Sequence, residues 1–180
     1  MPFLSEFARM ASAVFLSGSS ARVLREARAA FVAGVRAAVP HASTDANRFF
    51  EALVALPALH STLDLAERLA VHPVTLTSRF LRADLPSPKT YLSWARALEA
   101  VALLEQGATS AQCATLVGYS SREHFQRHCV LLLGHPTSHY RHRGAADALR
   151  ASFLQTLVQP CAVSLADLRL AGEPGRPVLR

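Results

Sequence analysis

Ser61–Phe80, STLDLAERLAVHPVTLTSRF, and Ser110–Leu133, SAQCATLVGYSSREHFQRHCVLLL, decide the fold, because the second stretch repeats the plan of the first. In the first, Ser61 stands three residues before Asp64, a weakened capping box that opens a short helix over Leu63–Ala70. His72-Pro73 breaks that helix, and Pro73 suits the first turn of another running to about Leu81. In the second, Thr109 and Gln112 form a capping box for a short helix that ends at Gly118. Ser120 and Glu123 form the next, for a longer helix that ends at Gly134. Two units of short helix, turn and longer helix therefore follow in tandem over about residues 61–142.

Working outward, Pro86-Ser87-Pro88 starts a long amphipathic linker helix that carries Tyr91, Leu92, Trp94, Ala95, Leu98, Val101 and Leu104 to a stop at Gly107. Upstream, Ser20 caps a helix to about Val39, with Leu24, Ala27, Phe31 and Val35 opposite Arg22, Arg25 and Arg28. Pro40 stops it, 41–44 is a short linker, and a further helix runs from about Asp45 to Leu56 before Pro57. Downstream come a small turn at His135–Arg141, a helix over Ala145–Val158 ended by Pro160, and a tail after Leu170 expected to be disordered. No convincing strand alternation occurs, so the expected class is all-α. The organisation is an N-terminal extension over 1–44, a domain over 45–142 that holds both units, and a C-terminal helix and tail over 143–180.

Composition limits the partners. With 51% hydrophobic residues among 180, the chain can bury a core, and 19 Lys or Arg against 13 Asp or Glu favour an anionic partner. Lys89 is the only lysine and isoleucine is absent, a bias of genome composition rather than a binding adaptation. Cys113, Cys129 and Cys161 form no Cys-x-x-Cys pair, and reduced thiols in a cytoplasm fit them. No apolar run approaches a membrane span. The Met10–Leu16 patch lacks a following cleavage site, and the Arg-, Ser- and Ala-rich first 40 residues only weakly resemble a transit segment. Seven of the eight histidines fall between His60 and His142, and the four-residue step from His124 to His128 suits zinc. No carboxylate or cysteine completes such a site, and no catalytic constellation can be made out. Neither a metal, a cofactor nor an enzyme is expected.

A bihelical unit reads DNA by laying its second helix in the major groove, where base edges differ chemically. Several marks of the sequence resemble the AraC/XylS DNA-binding domain over Ser61–Arg141: Leu65-Ala66, Leu76 and Phe80, Tyr91-Leu92 with Arg96 and Ala100, Gly118-Tyr119, His124-Phe125-x-Arg127 and the closing Tyr140-Arg141. That resemblance implies a homeodomain-like pair of helix-turn-helix units and a transcription regulator acting on double-stranded DNA, with RNA polymerase as a further partner. The sequence departs from the pattern at Leu85, where a glycine is expected, at Ser78 and Cys129, and at Val130–Leu133, which replaces a stretch rich in Lys and Arg. The closing Thr-Pro is inverted, as Pro136-Thr137. Residues 61–142 hold eight Lys or Arg against six Asp or Glu, so weaker binding than a typical member's is expected.

The candidate DNA contacts on the first reader are Val74, Thr75, Thr77, Ser78, Arg79 and Arg82, and those on the second are Ser121, Arg122, Glu123, His124, Gln126 and Arg127. Arg127 suits a guanine edge, the alternative being a phosphate contact or an internal ion pair. Glu123 is favoured as a capping-box partner over a base reader. Arg96, also a candidate contact, is better read as structural or phosphate-facing. Val130–Leu133 is expected to bury against Ala145–Val158, with an exposed partner surface as the alternative. The expected function is sequence-specific regulation through two successive major-groove segments of an asymmetric site. Its rival is a degenerate helix-turn-helix protein that acts through protein contacts.

Overall fold

The structure is a computed structural model that describes residues 18–56 and 58–170. The Met10–Leu16 patch, Pro57 and the tail after Leu170 lie outside the described residues. The helix that organises the molecule is α5, Pro88–Glu105, in which Tyr91, Leu92, Ala95 and all of residues 97–104 are buried. A helix that is apolar all round has to be covered all round. The sequence reading of α5 as amphipathic was too narrow, because Ala97, Ala100 and Ala102 add a second apolar face that needs its own cover.

That cover comes from both directions of the chain. The first unit consists of α3, Thr62–Arg68, and α4, Pro73–Arg82, preceded by α2, Thr44–Val54. The second consists of α6, Ser110–Leu116, and α7, Arg122–Leu133. Both units pack on α5, and its remaining face takes the N-terminal α1, Gly18–Ala38, and the later α8, Ala145–Phe153. Rings from four of these helices meet at Tyr91, which lies 5.6 Å from both Phe49 and Phe50, 6.0 Å from Phe80 and 6.4 Å from Phe153. Phe31 of α1 stacks on Phe153 at 5.3 Å. Such pairs add about 0.5–1.5 kcal/mol each beyond the area they bury. The Tyr91 hydroxyl donates to the Leu157 carbonyl at 3.2 Å, so the ring's polar end is satisfied inside the core.

Serine and threonine caps fall largely where the spacing put them. Ser61 accepts from Asp64 N, Ser87 from Thr90 N, and Thr109 with Gln112 closes a full capping box. The weakened box at Ser61 is completed one residue earlier, since Asp64 accepts from His60 N at 2.9 Å. Glu105, the last residue of α5, accepts from Gly144 N and Ala146 N at 2.9 and 3.0 Å, placing its carboxylate at the positive end of α8. Cys113 and Cys129 are fully buried between α6, α7 and α5, and burial pushes their thiols up to about 11 and about 12.

Three expectations need correction. Arg28 does not belong to the exposed face of α1. It turns inward, and its Nε donates to Glu99 Oε1 at 2.7 Å with both side chains largely buried. Desolvation pushes the Glu99 carboxyl up and Arg28 opposes that shift. The helix over Ala145–Val158 is regular only to Phe153, and Leu154–Val158 winds as a wide π-turn. Pro160 lacks an N–H and cannot carry on the regular ladder, yet the chain recovers as α9, Ala162–Asp167, a helix the sequence reading did not foresee. Finally, Val130 and Leu131 do not bury against α8: they are 46% and 78% exposed, while Leu133 packs on the core. α8 spends its apolar face on α5 and α1 instead.

Removing one member of a buried ion pair leaves the other charge uncompensated. Arg28→Ala is therefore expected to lower unfolding free energy by about 3–5 kcal/mol, whereas the double change Arg28→Met with Glu99→Leu should match or exceed the parent. Urea melts of the three proteins check this. An equal loss in the double variant would assign the effect to packing of the arginine stem.

Candidate nucleic-acid interface

Each recognition helix is held by a turn with a residue in the left-handed region. In the first unit Ala70 takes φ +55°, with Val71 N donating to Ala66 O at 3.0 Å. His72 caps α4 through Nδ1, accepting from Val74 N at 3.3 Å, and Pro73 follows in the first turn. Leu76 and Phe80 are buried, which turns Val74, Ser78 and Leu81 to the opposite side at steps of four and three. Val74 is 66% and Leu81 78% exposed. Thr77 is also exposed but its hydroxyl donates back to Pro73 O at 3.1 Å. Thr75, Arg79 and Arg82 share one flank of that stripe, with Thr75 and Arg79 half-buried and Arg82 exposed. The residue that closes α4 in left-handed geometry is Asp84, φ +53°, and not position 85. Aspartate tolerates that region, so Leu85 is free to bury its side chain.

In the second unit the turn passes through Gly118, φ +77°. Any Cβ there would run into the His60 imidazole, so glycine answers both to the backbone and to the neighbour. Ser121, rather than Ser120, is the N-cap of α7, accepting from His124 N at 3.0 Å. This displaces Glu123 from the capping-box position, and it instead pairs with Arg122 at 3.2 Å on the open surface. Its own backbone N–H and then Arg122 hold the Glu123 carboxyl below the usual range. Phe125 and Cys129 bury, which sets Glu123, Arg127 and Val130 on the outward stripe. Gln126 is half-buried beside it, and His124 is exposed with its Nδ1 3.2 Å from the Ser120 hydroxyl. Arg127 is exposed and has no carboxylate partner among the described residues.

Arg96 takes the structural side of its two readings. Its Nε and Nη2 donate to the carbonyls of Val117 and Gly118 at 2.9 and 2.6 Å, and its guanidinium lies 4.1 Å over the Tyr119 ring. With Nε and Nη2 bonded to the turn, Arg96 ties the second helix-turn-helix unit to α5. The sequence reading missed the next link, in which Tyr119 OH and His128 Nδ1 stand 2.6 Å apart. The four-residue step from His124 to His128 was weighed for zinc, but nothing in it showed that His128 faces Tyr119. Among the described residues no group of three or more His, Cys, Asp or Glu is placed to hold a metal ion. His135 and His139 stack on each other at 4.1 Å.

Burial, then Arg96, His124 and Lys89, lower the His128 pKa below its ordinary 6.5. The folded protein thus binds this proton less readily than the unfolded chain, so stability falls as pH drops through 6.5 toward the folded value. Thermal melts between pH 7.5 and 5 should show this loss, and His128→Gln should diminish it. An unchanged pH dependence in the variant would assign the loss to other groups.

Residues 65–143 match the family model of a helix-turn-helix domain. No curated protein and no solved structure matches the chain. The matched segment opens within α3, spans both turns and both recognition helices, and closes just after the Thr137–Arg141 turn. With the all-helical architecture of the described residues, residues 65–143 are an AraC-type helix-turn-helix domain, and the chain that carries it is a DNA-binding transcription regulator.

Proposed function

We propose that α4 and α7 each enter a major groove, so that one chain reads two successive segments of an asymmetric site. The observation that carries this reading is that both helices turn an outward stripe to solvent while their inner faces share one rigid support, α5. On a single face of B-DNA the two grooves recur about every 34 Å, and departure of the two helices from parallel would be met by bending the duplex.

The two readers differ in chemistry. Val74 and the Thr77 methyl suit apolar contact with a thymine methyl, while Arg127, without a carboxylate partner among the described residues, suits bidentate contact with guanine O6 and N7. Ser78 and Gln126 are placed for base-edge or phosphate hydrogen bonds beside them, and Ser121, Arg122 and His124 for the backbone at the head of α7. Arg79, Arg82 and the rim of α4 supply phosphate contacts that orient the first reader.

Selection from a random duplex pool is expected to enrich a motif with two short segments about one helical turn apart, whose affinity falls steeply with salt. Arg127→Ala should cost about 1–3 kcal/mol of binding and relax the preference at one base position. A loss spread evenly over all duplexes would make Arg127 a phosphate contact. Failure to enrich any motif would favour the second reading, in which the exposed Val130 and Leu131 on the same helix serve a protein partner.

A further inference from the structure

The helix-turn-helix match ends at 143, yet the chain beyond it returns to the first recognition helix. Arg79, Arg82 and Asp84 at the end of α4 line a cleft of about 440 Å³ together with Asp167, the last residue of α9, and Arg169 just beyond it. Three arginines and two aspartates thus line one recess, and no two of them form an ion pair within 4.0 Å. The recess lies on the flank of α4 that carries Arg79 and Arg82, beside the stripe of Val74, Ser78 and Leu81. A helix lying in the major groove has a phosphate strand along each flank, and cations placed there meet backbone rather than bases.

The returning segment is fixed firmly enough to aim a side chain. Ser43 N donates to Leu165 O at 3.0 Å, Ser43 Oγ to Leu168 O at 2.8 Å, and Leu170 N to Asp45 Oδ2 at 2.8 Å, so 165–170 is stitched to the head of α2. Leu165, Leu168 and Leu170 are buried while Arg169 between them is exposed. Arg169 Nη1 donates to Leu168 O at 2.9 Å, which orients the guanidinium and leaves the donors on Nε and Nη2 for an anion.

We propose that this C-terminal segment is part of the DNA interface, with Arg169 joining Arg79 and Arg82 to grip a backbone phosphate beside the first recognition helix. The inference rests on the two-reader reading above. Three positive groups against two negative ones leave the recess with a single net positive charge, which matches one phosphodiester. The contact carries no sequence information and sets the register of α4 on the duplex.

The test uses the full chain, with the duplex enriched by selection and a random duplex of equal length, each titrated across a range of salt. Arg169→Ala is expected to weaken both duplexes alike and to reduce the slope of log affinity against log salt by about 1. Across a fourfold rise in salt its affinity should therefore fall about threefold less than the parent's. Arg169→Lys should keep the slope, and Arg79→Ala with Arg169→Ala should lose less than the two separate losses combined. An unchanged slope in Arg169→Ala, with Arg127→Ala still altering base preference, would place the segment outside the footprint and leave the two-reader reading intact. Equal losses in the Ala and Lys variants with a lowered melting temperature would make Arg169 a purely structural residue and overturn the proposal. If the parent binds neither duplex, both readings fall together.

Discussion

A helix without a polar side cannot sit at the edge of a protein. α5 is such a helix, and the need to cover its whole circumference explains most of what surrounds it. The two helix-turn-helix units cover part of it, and the remainder is closed by segments on either side of the matched domain, α1 and α8. The apolar core therefore runs through the residues outside 65–143 as well as through those within. The buried pair of Arg28 and Glu99 belongs to the same logic. Glu99 is a carboxylate on the covered face of α5, and the covering helix brings the cation that makes its burial tolerable.

From this support the two readers are set out by short-range chemistry. Arg96 reaches from α5 to the carbonyls of Val117 and Gly118, so the turn before α7 is fixed from below by a side chain and from the side by His60. The first turn is held from another direction. There Arg48 donates to Leu69 O at 2.8 Å, bringing support from α2. The first reader thus depends on its upstream neighbour, and the second on the linker.

How far the sequence carried can be judged from particular residues. Helix starts were legible at Ser61, Pro73, Ser87 and Thr109, because capping is a local hydrogen bond. The same pattern misled at the start of α7. Ser120 and Ser121 differ only in which one the tertiary packing of Phe125 allows to cap, and that choice moved Glu123 from a structural role to the surface. Arg28 was misplaced for another reason: it stands four residues after Leu24 and three before Phe31, beside the apolar stripe and not opposite it, and the distant Glu99 takes up its charge. The outward placement of Arg127 and Val74 was legible, since one face of a short amphipathic helix follows from the other. The exposure of Leu131 was not, because an apolar residue late in a helix signals burial unless the structure shows that nothing packs there.

The pair of buried thiols has a consequence of another kind. With burial pushing the Cys113 thiol up to about 11 and that of Cys129 up to about 12, both stay protonated at neutral pH. Both sulfurs lie beneath the second recognition helix, and reagents that attack thiolates reach them only when that helix lifts from α5. Thiol reactivity at these two positions thus reports the opening of the half that carries Arg127.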